Sequence, residues 1–184
     1  MVFEPESSPG DPVAATMEQG GRFFVRNLPP GRYTLHALTP EGCFTAEARM
    51  GQLDALEQGF TLNSQNAVEM SVTVGCSAGA IQGEAVTARN DPAPRAWVVL
   101  GPENLDRIRR SGAVQLTRTG LAGEYYFAGL PPGSYRLVAL RAKPESAIDS
   151  DTFWKQFGPD SIKVQVRENE VAPVLLPVRD PAAK

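Results

Sequence analysis

Short stretches of alternating apolar and polar residues run along most of the chain. A period of two is typical of β-strands, because successive side chains point to opposite faces. Four stretches are predicted as strands on this pattern or on a continuous apolar run: Val68–Val74, Ala96–Leu100, Ile162–Val166 and Val171–Val178. Helical periodicity is weak, and Leu53–Leu56 and Thr152–Phe157 each predict only a turn or two. The pattern therefore predicts an all-β protein.

Two blocks of eighteen residues resemble each other. Gly21–Leu38 reads GRFFVRNLPPGRYTLHAL and Gly123–Leu140 reads GEYYFAGLPPGSYRLVAL, with nine identical positions at a constant offset of 102 residues. A looser match joins Val2–Glu6 to Val99–Glu103 at an offset of 97. Repeated blocks indicate two copies of one domain type, which we place at residues 1–75 and 76–184.

Each block predicts a hairpin whose two strands are joined by a Leu-Pro-Pro-Gly turn. Proline fixes φ, and glycine permits the positive φ that a tight reversal can need. In the second strand Tyr135, Leu137 and Ala139 share one face, while Arg136 and Val138 share the other. With the equivalent positions of the first block and the Ala96–Leu100 strand, we expect six buried residues: Tyr33, Leu35, Val98, Leu100, Tyr135 and Leu137.

The second repeat is complete, from Ile81 to Val178, whereas the first is not. The first repeat starts at what corresponds to the middle of the second strand, and it has no counterpart of Ala80–Val86. We therefore expect either that the chain is a fragment of a longer protein or that something else supplies this strand. An unfilled edge exposes backbone groups that favour pairing with another chain.

Composition and charge exclude several functional classes. The hydrophobic content of 42% is ample for packed cores, and a net charge of −3 argues against nucleic-acid binding through bulk basic charge. Apolar runs stay short of 18 residues, so no membrane-spanning segment is predicted, and Met1–Pro5 shows no signal-peptide pattern. One histidine and two cysteines exclude zinc sites built from several histidines or four cysteines.

Three motifs carry a family resemblance. They are I-x-G around Ile81–Val86, A-x-V-V-L-x-P at Ala96–Pro102, and G-x-Y-x-F-x-G-L-P-P-G-x-Y-x-L-x-A at Gly123–Ala139. Together they resemble bacterial carboxypeptidase regulatory-like domains, although Asn90-Asp91-Pro92 replaces the D-x-x-G-x-P turn of that family. The resemblance implies two tandem transthyretin-like (prealbumin-like, Ig-like) β-sandwiches of the carbohydrate-binding-like type, the first lacking its N-terminal strand.

One short motif matches a catalytic pattern. Gly75–Gly79 reads G-C-S-A-G, the G-x-S-x-G of a nucleophile elbow, which needs a strand, a sharp turn, a helix and a later histidine. Here Ile81–Val86 predicts a strand, and the single histidine, His36, lies upstream in a predicted, partly exposed strand. We interpret the motif as an interdomain connection. No catalytic residue and no cofactor are predicted.

Two charged segments are weak candidates for ligand sites. Asp149, Ser150 and Asp151, with Glu145 and Asp160 nearby, offer oxygen ligands of the kind that calcium prefers. Their spacing fits no EF-hand loop, so we expect a solvated acidic loop and no metal. The basic segment Arg107–Arg110 is likewise expected to be a solvated loop.

Both tryptophans are candidate ligand or partner contacts. Trp97 falls on the polar side of its predicted strand beside Val99, where an aromatic ring can stack on a sugar or anchor a partner. The alternative is that Trp97 packs under a loop. Trp154, with Phe153 and Phe157, is expected to fasten its own segment to the sandwich.

The two cysteines are a candidate disulfide. Cys43 follows the first hairpin, and Cys76 directly follows the last strand predicted for the same domain, 33 residues later. The alternative is two separate thiols, because the sequence does not show whether their Cα atoms lie within about 7 Å. The envelope-type resemblance favours an oxidising compartment and hence the bridge.

The resemblance and the absence of a catalytic pattern lead to one functional hypothesis and one alternative. The hypothesis is a non-catalytic accessory module pair, a spacer, scaffold or adhesion unit in a larger secreted or envelope-associated bacterial protein. The alternative is a carbohydrate- or ligand-binding module that uses exposed aromatics, with a new type of enzyme ranked third. The expected partners are other domains of a longer polypeptide or envelope proteins, with polysaccharide as a further candidate and nucleic acid excluded, in an extracytoplasmic location.

Overall fold

The computed structural model describes residues 2–5, 11–36, 38–63, 68–105 and 113–179. They divide into two compact units. Unit 1 holds the described residues up to Pro40 together with Thr45–Val74, and unit 2 holds Glu41–Phe44 and the described residues from Gly75 onwards. Both consist mainly of β-strands, as the alternation of the sequence predicts.

Unit 1 is built from short strands and one short helix, α1 (Ala55–Gln58). The strands are β1 (Val2–Pro5), β2 (Val13–Ala14), β3 (Thr16–Met17), β4 (Phe23–Phe24), β5 (Gly31–His36), β6 (Phe44–Met50), β7 (Leu53–Asp54), β8 (Phe60–Leu62) and β9 (Ser71–Gly75). They form a four-stranded sheet in the order β2-β1-β5-β8, a three-stranded sheet in the order β7-β6-β9, and the pair β3-β4. Helix α1 begins where the Asp54 side chain accepts hydrogen bonds from the backbone N–H groups of Leu56 and Glu57.

Unit 2 contains longer strands and helix α2 (Asp151–Phe157). The strands are β10 (Gly79–Val86), β11 (Trp97–Pro102), β12 (Gln115–Arg118), β13 (Glu124–Leu130), β14 (Gly133–Leu140), β15 (Ile162–Val166) and β16 (Val171–Arg179). Their order is β12-β11-β14-β16-β10-β13, with β15 paired to β14. The last strand joins the two halves of this sheet, because β16 runs parallel first to β10 and then, at its end, to β14.

The two units share one pattern of strand pairing. In unit 1, β1 pairs with β5 so that Val2 lies opposite His36; in unit 2, β11 pairs with β14 so that Val99 lies opposite Val138. These are the positions that the offsets of 97 and 102 in the sequence make equivalent. The sheet order β2-β1-β5-β8 of unit 1 likewise matches β12-β11-β14-β15 of unit 2.

The Pro-Pro-Gly turn is stabilised in the same way in both units. The hydroxyl of Tyr33 donates to the carbonyl oxygen of Pro29 at 2.8 Å, and the hydroxyl of Tyr135 donates to that of Pro131 at 2.6 Å. Each tyrosine therefore ties its strand back to the start of the turn four residues earlier. The repeated sequence block encodes this hydrogen bond as well as the hairpin.

The six residues expected in the cores are buried, which confirms the predicted inward face of both hairpins. In unit 2, Val98, Leu100 and Leu137 belong to a core that β10, β13 and β16 complete. A second apolar cluster lies on the opposite face of β11 and β14. There α2 covers Val99 and Val138, although Val138 had been assigned only to the face opposite the core.

Unit 1 has a smaller fully buried core and a wider margin of half-buried apolar residues. Phe3, Tyr33, Leu35 and Phe60 are buried, and the ring of Phe60 contacts those of Phe3 and Tyr33. The partly buried apolar residues around them come from every sheet of the unit: Ala15, Phe23, Val25, Leu28, Met50, Leu53, Leu62, Met70 and Val72.

Candidate functional site

Trp97 lies near the surface of unit 2 with two cations close to its ring. It is partly buried, with its ring at the margin of the cluster under α2. The Arg118 guanidinium carbon lies 5.5 Å from its ring centroid, and Lys143 Nζ lies 5.7 Å from it. Arg118 is held in place because its Nε donates to the carbonyl oxygen of Arg95 at 3.2 Å. The site therefore combines an aromatic ring with two positive charges.

Trp154 occupies a different environment and is not a surface contact. Its side chain is 2% exposed, packs between Phe153 and the backbone of Gly101, and donates its Nε1–H to the carbonyl oxygen of Ile148 at 2.8 Å. A Cβ on Gly101 would lie 2.3 Å from the indole ring. The ring is buried where α2 packs against the sheet, in the fastening role expected for Trp154, and it does not face solvent as a ligand contact would.

Cys43 and Cys76 form a disulfide bond in the structure, with their Cα atoms 3.9 Å apart. The backbone beside the bond is paired as well, because Ala78 N–H donates to the carbonyl oxygen of Gly42 at 3.0 Å. The bond closes a sequence separation of 33 residues that carries β6 to β9.

The remaining candidates have structural surroundings. Gly79, the last residue of the G-x-S-x-G motif, begins strand β10 and not the helix that a nucleophile elbow requires. His36 Nε2 lies 3.3 Å from Glu4 Oε2, and both side chains are about half exposed on the central strands β5 and β1. Ser150 caps α2 by accepting from Phe153 N–H, and within the described ranges no three acidic, histidine or cysteine side chains converge on one point. The basic segment 107–110 lies outside the described residues.

Buried polar groups of the described residues make hydrogen bonds that stabilise the fold. The buried Thr119 hydroxyl donates to the carbonyl oxygen of Ala93 and accepts from Ala96 N–H, at 2.7 and 2.8 Å. Burial raises the pKa of the Tyr125 phenol. Lys163, whose Nζ lies 2.6 Å from Glu103 Oε1, lowers the pKa of the partly exposed Glu103 carboxyl. Both pKa values move away from neutrality, the opposite of what a general acid or base at neutral pH needs.

Unit 1 contains a large open groove with apolar walls, with a volume of about 1920 Å³. One wall is formed by β4 and the residues after it, and the other by β9 and the residues before it. The partly buried apolar residues that line the groove include Phe23 and Val25 in one wall and Met70 and Val72 in the other. Phe60, from the core, also lines it.

The groove also exposes apolar side chains at its rim. Leu38 is 87% exposed, and Val68 and Val74 are about half exposed. All three line the groove. The sequence repeat indicates an unfilled strand position in this unit, but strand alternation does not identify these residues as the walls of one groove. Nor does alternation single out Tyr126 on β13, an aromatic side chain that is 55% exposed.

Comparison with known proteins identifies no family. No protein-family model and no curated protein matches the chain. Solved structures with similar folds include a "putative carbohydrate binding protein" of Pseudomonas aeruginosa (14% identity, 55% of this chain and 88% of that one, TM-score 0.35). A streptococcal ancillary pilin is also similar (17% identity, 97% of this chain and 56% of that one, TM-score 0.36). So is the 5-hydroxyisourate hydrolase of Klebsiella pneumoniae (18% identity, 57% of this chain and 92% of that one, TM-score 0.32).

These likenesses, all with TM-scores below 0.5, assign no function to the chain. The chain spans little more than half of the streptococcal pilin. Within the described residues, no helix has the length and apolar character needed to cross a membrane.

Proposed function

We propose that the chain is a non-catalytic, extracytoplasmic scaffold made of two copies of one β-sandwich module, with the boundary at residue 75. The equivalent strand registers of β1-β5 and β11-β14 support two copies of a transthyretin-like module of the carboxypeptidase regulatory-like type. A scaffold role is favoured because the interior of unit 2 is filled on both faces of its β11-β14 sheet.

The observation that carries this proposal is the use made of Thr119. Active sites gather several partly buried polar groups around a cleft. In unit 2 the buried Thr119 hydroxyl is consumed by two backbone hydrogen bonds that join the loop before β11 to the end of β12, and the buried Tyr125 and Trp154 donate to backbone carbonyl oxygens in the same way. The buried chemistry of this unit therefore supports structure.

The Cys43–Cys76 disulfide supports the extracytoplasmic part of the proposal. Disulfides persist in secreted and envelope proteins and are rare in the reducing cytosol. We expect partners among other domains of a longer polypeptide or among envelope proteins, which would use the module pair as a spacer or adhesion unit.

Cell fractionation of the source organism tests this proposal, with the thiols alkylated before lysis. We expect the protein outside the cytoplasm, with the Cys43–Cys76 peptide pair linked in non-reducing mass spectrometry. In vivo crosslinking should then recover envelope proteins or further domains of the same polypeptide. Protein found in the cytoplasm with two alkylated cysteines would contradict the proposal.

A second candidate function is binding of an acidic polysaccharide at Trp97. It is favoured by the two cations near the partly buried indole ring, Arg118 and Lys143, because an aromatic ring can contact a sugar while the cations attract carboxylate or sulfate groups. Pull-down on acidic and neutral polysaccharides tests it, comparing the protein with Trp97→Ala, Arg118→Gln and the exposed control Tyr126→Ala. Retention on acidic polymers that only the first two variants lose would support this function; equal retention of all proteins would exclude it.

A further inference from the structure

The groove of unit 1 lies where unit 2 has its strand β10. In unit 2, β10 lies between β13 and β16, antiparallel to the first and parallel to the second. The sequence repeat makes β4 equivalent to part of β13, since Phe23 and Phe24 correspond to Tyr125 and Tyr126 at the offset of 102. Among the described residues of unit 1, no strand lies between β4 and β9.

Strand β9 corresponds to β16 in chain order, although it pairs with β6, whereas β16 pairs with β14 and β10. Each is the final strand of its unit and follows a strand that pairs with the second strand of the hairpin, β8 in unit 1 and β15 in unit 2. The two pairings agree in register, because Gly31 lies opposite Leu62 and its equivalent Gly133 lies opposite Val166. By repeat alignment and chain order, the walls of the groove are therefore the equivalents of β13 and β16, which are the two neighbours of β10 in unit 2.

We propose that this groove is a peptide-binding site that receives a donor strand of the β10 type from polypeptide outside these 184 residues. The strand runs parallel to β9 and antiparallel to β4. It places apolar side chains at alternate positions against Phe23, Met70 and Phe60. In unit 2 the inward positions of β10 are occupied by Ile81 and Ala85, and both side chains are fully buried. This inference rests on the two-copy part of the proposed function and does not depend on the scaffold role.

The chain order of unit 2 indicates where the donor comes from. There β10 precedes β11, and residues 87–96 connect them. Because β11 is equivalent to β1, the donor belongs upstream of β1 in the same polypeptide. A second copy of the chain is a poorer donor, since its β10 is already paired with both β13 and β16 and its removal would open unit 2.

Edge strands with apolar walls are what strand addition requires. Backbone N–H and C=O groups of the edge supply the hydrogen bonds, and pockets for alternate side chains supply the specificity. The exposed rim residues Leu38, Val68 and Val74 would lose contact with water when the strand is bound. Burial of such side chains supplies the free energy that orders the donor.

The test adds the strand that unit 1 lacks. Since Val99 corresponds to Val2, residues 79–98 fused directly before Val2 reproduce the donor and its connection at natural length. Native-state hydrogen exchange of the whole protein is compared with and without the fusion. We expect exchange of the β4 and β9 amides to slow by about tenfold or more, with unit 2 unchanged as the internal reference.

The matched control is the same fusion with the donor's Ile81→Asp and Ala85→Asp, which should leave β4 and β9 unprotected. If the fusion protein does not fold, titration of a synthetic peptide of residues 79–86 into the original chain provides the readout, with NMR shift changes expected in β4 and β9. Equal exchange with and without an intact donor overturns the proposal, as does the absence of peptide-induced shifts where the titration is used. Dimers of the original chain whose β4 and β9 amides are already protected would show that a second copy fills the groove, which also overturns it.

Discussion

The hydroxyl of Tyr125 on β13 donates a hydrogen bond of 2.9 Å to the backbone carbonyl oxygen of Val174 on β16. These strands are not neighbours, because β10 lies between them, and its Gly83 is opposite both residues. A Cβ on Gly83 would lie 1.8 Å from the Val174 oxygen and 2.7 Å from the Tyr125 hydroxyl. Glycine is therefore the residue that lets this hydrogen bond pass over the middle strand. It is also the glycine of the I-x-G motif that carries the family resemblance.

Gly83→Ala should destabilise the protein strongly. The added methyl collides with backbone, which cannot rotate away, so we expect a loss of about 1–3 kcal/mol or more in the free energy of unfolding. Urea titration measures it, with the exposed neighbour Glu84→Ala as the control, which should change by less than about 0.5 kcal/mol. Equal stability of the two variants would show that the strands tolerate a side chain at this position.

Tyr125 should make stability depend on pH in the alkaline range. Burial raises the pKa of its phenol above the ordinary value of 10.0. In the unfolded chain the phenol loses its proton near that pH, while in the folded protein it keeps it. The unfolded state therefore binds fewer protons, and the free energy of unfolding falls as the pH rises above about 10.

Substitution of two tyrosines tests this pH dependence. Tyr125→Phe should cost about 0.5–1.5 kcal/mol at neutral pH, for one hydrogen bond, and should flatten the alkaline slope in urea titrations. Tyr126→Phe, at the exposed neighbouring position, should leave the stability at neutral pH and the alkaline slope unchanged. An alkaline slope that survives in Tyr125→Phe would place its origin elsewhere.

Leu137 and its equivalent Leu35 should be costly to truncate. Both side chains are buried in their units, so Leu→Ala removes apolar contacts and leaves a cavity. We expect a loss of about 2–5 kcal/mol for Leu137→Ala, measured by urea titration. Leu35→Ala should destabilise unit 1, followed through exchange of the β5 amides. Gln82→Ala, exposed on β10, is the control, and a loss for Leu137→Ala as small as for this control would contradict the assigned core face.

The hairpins could be predicted because their information is local. A period of two and a Pro-Pro-Gly turn determine which face of β14 carries Tyr135 and Leu137. The burial of Val138 could not be predicted in the same way, because its cover, helix α2, comes from a segment more than ten residues later. The outer face of a strand looks polar or apolar by its own sequence, but its exposure depends on what packs over it.

In the candidate sites, too, local sequence predicts some features, and others depend on segments that are distant in the chain. The side of the strand on which Trp97 lies followed from alternation, whereas its cations could not be predicted, since Arg118 is contributed by a neighbouring strand and Lys143 by a loop. The repeat alignment indicated the unfilled position in unit 1. It could not predict that β6 would pair with β9, because β6 follows the repeated block.

The Cys43–Cys76 disulfide should contribute substantially to stability. A bridge between residues 33 positions apart restricts the unfolded chain, and the chain-entropy relation gives about 3–4 kcal/mol for a loop of this length. The double variant Cys43→Ser, Cys76→Ser should unfold at a correspondingly lower urea concentration, and reductant should shift the original protein toward the same midpoint. Reductant should have no effect on the double variant, which controls for its action elsewhere. Non-reducing mass spectrometry of protein made under oxidising conditions should find no alkylatable thiol; two alkylated cysteines in the native, unreduced protein would contradict the bridge and remove the main support for an extracytoplasmic location.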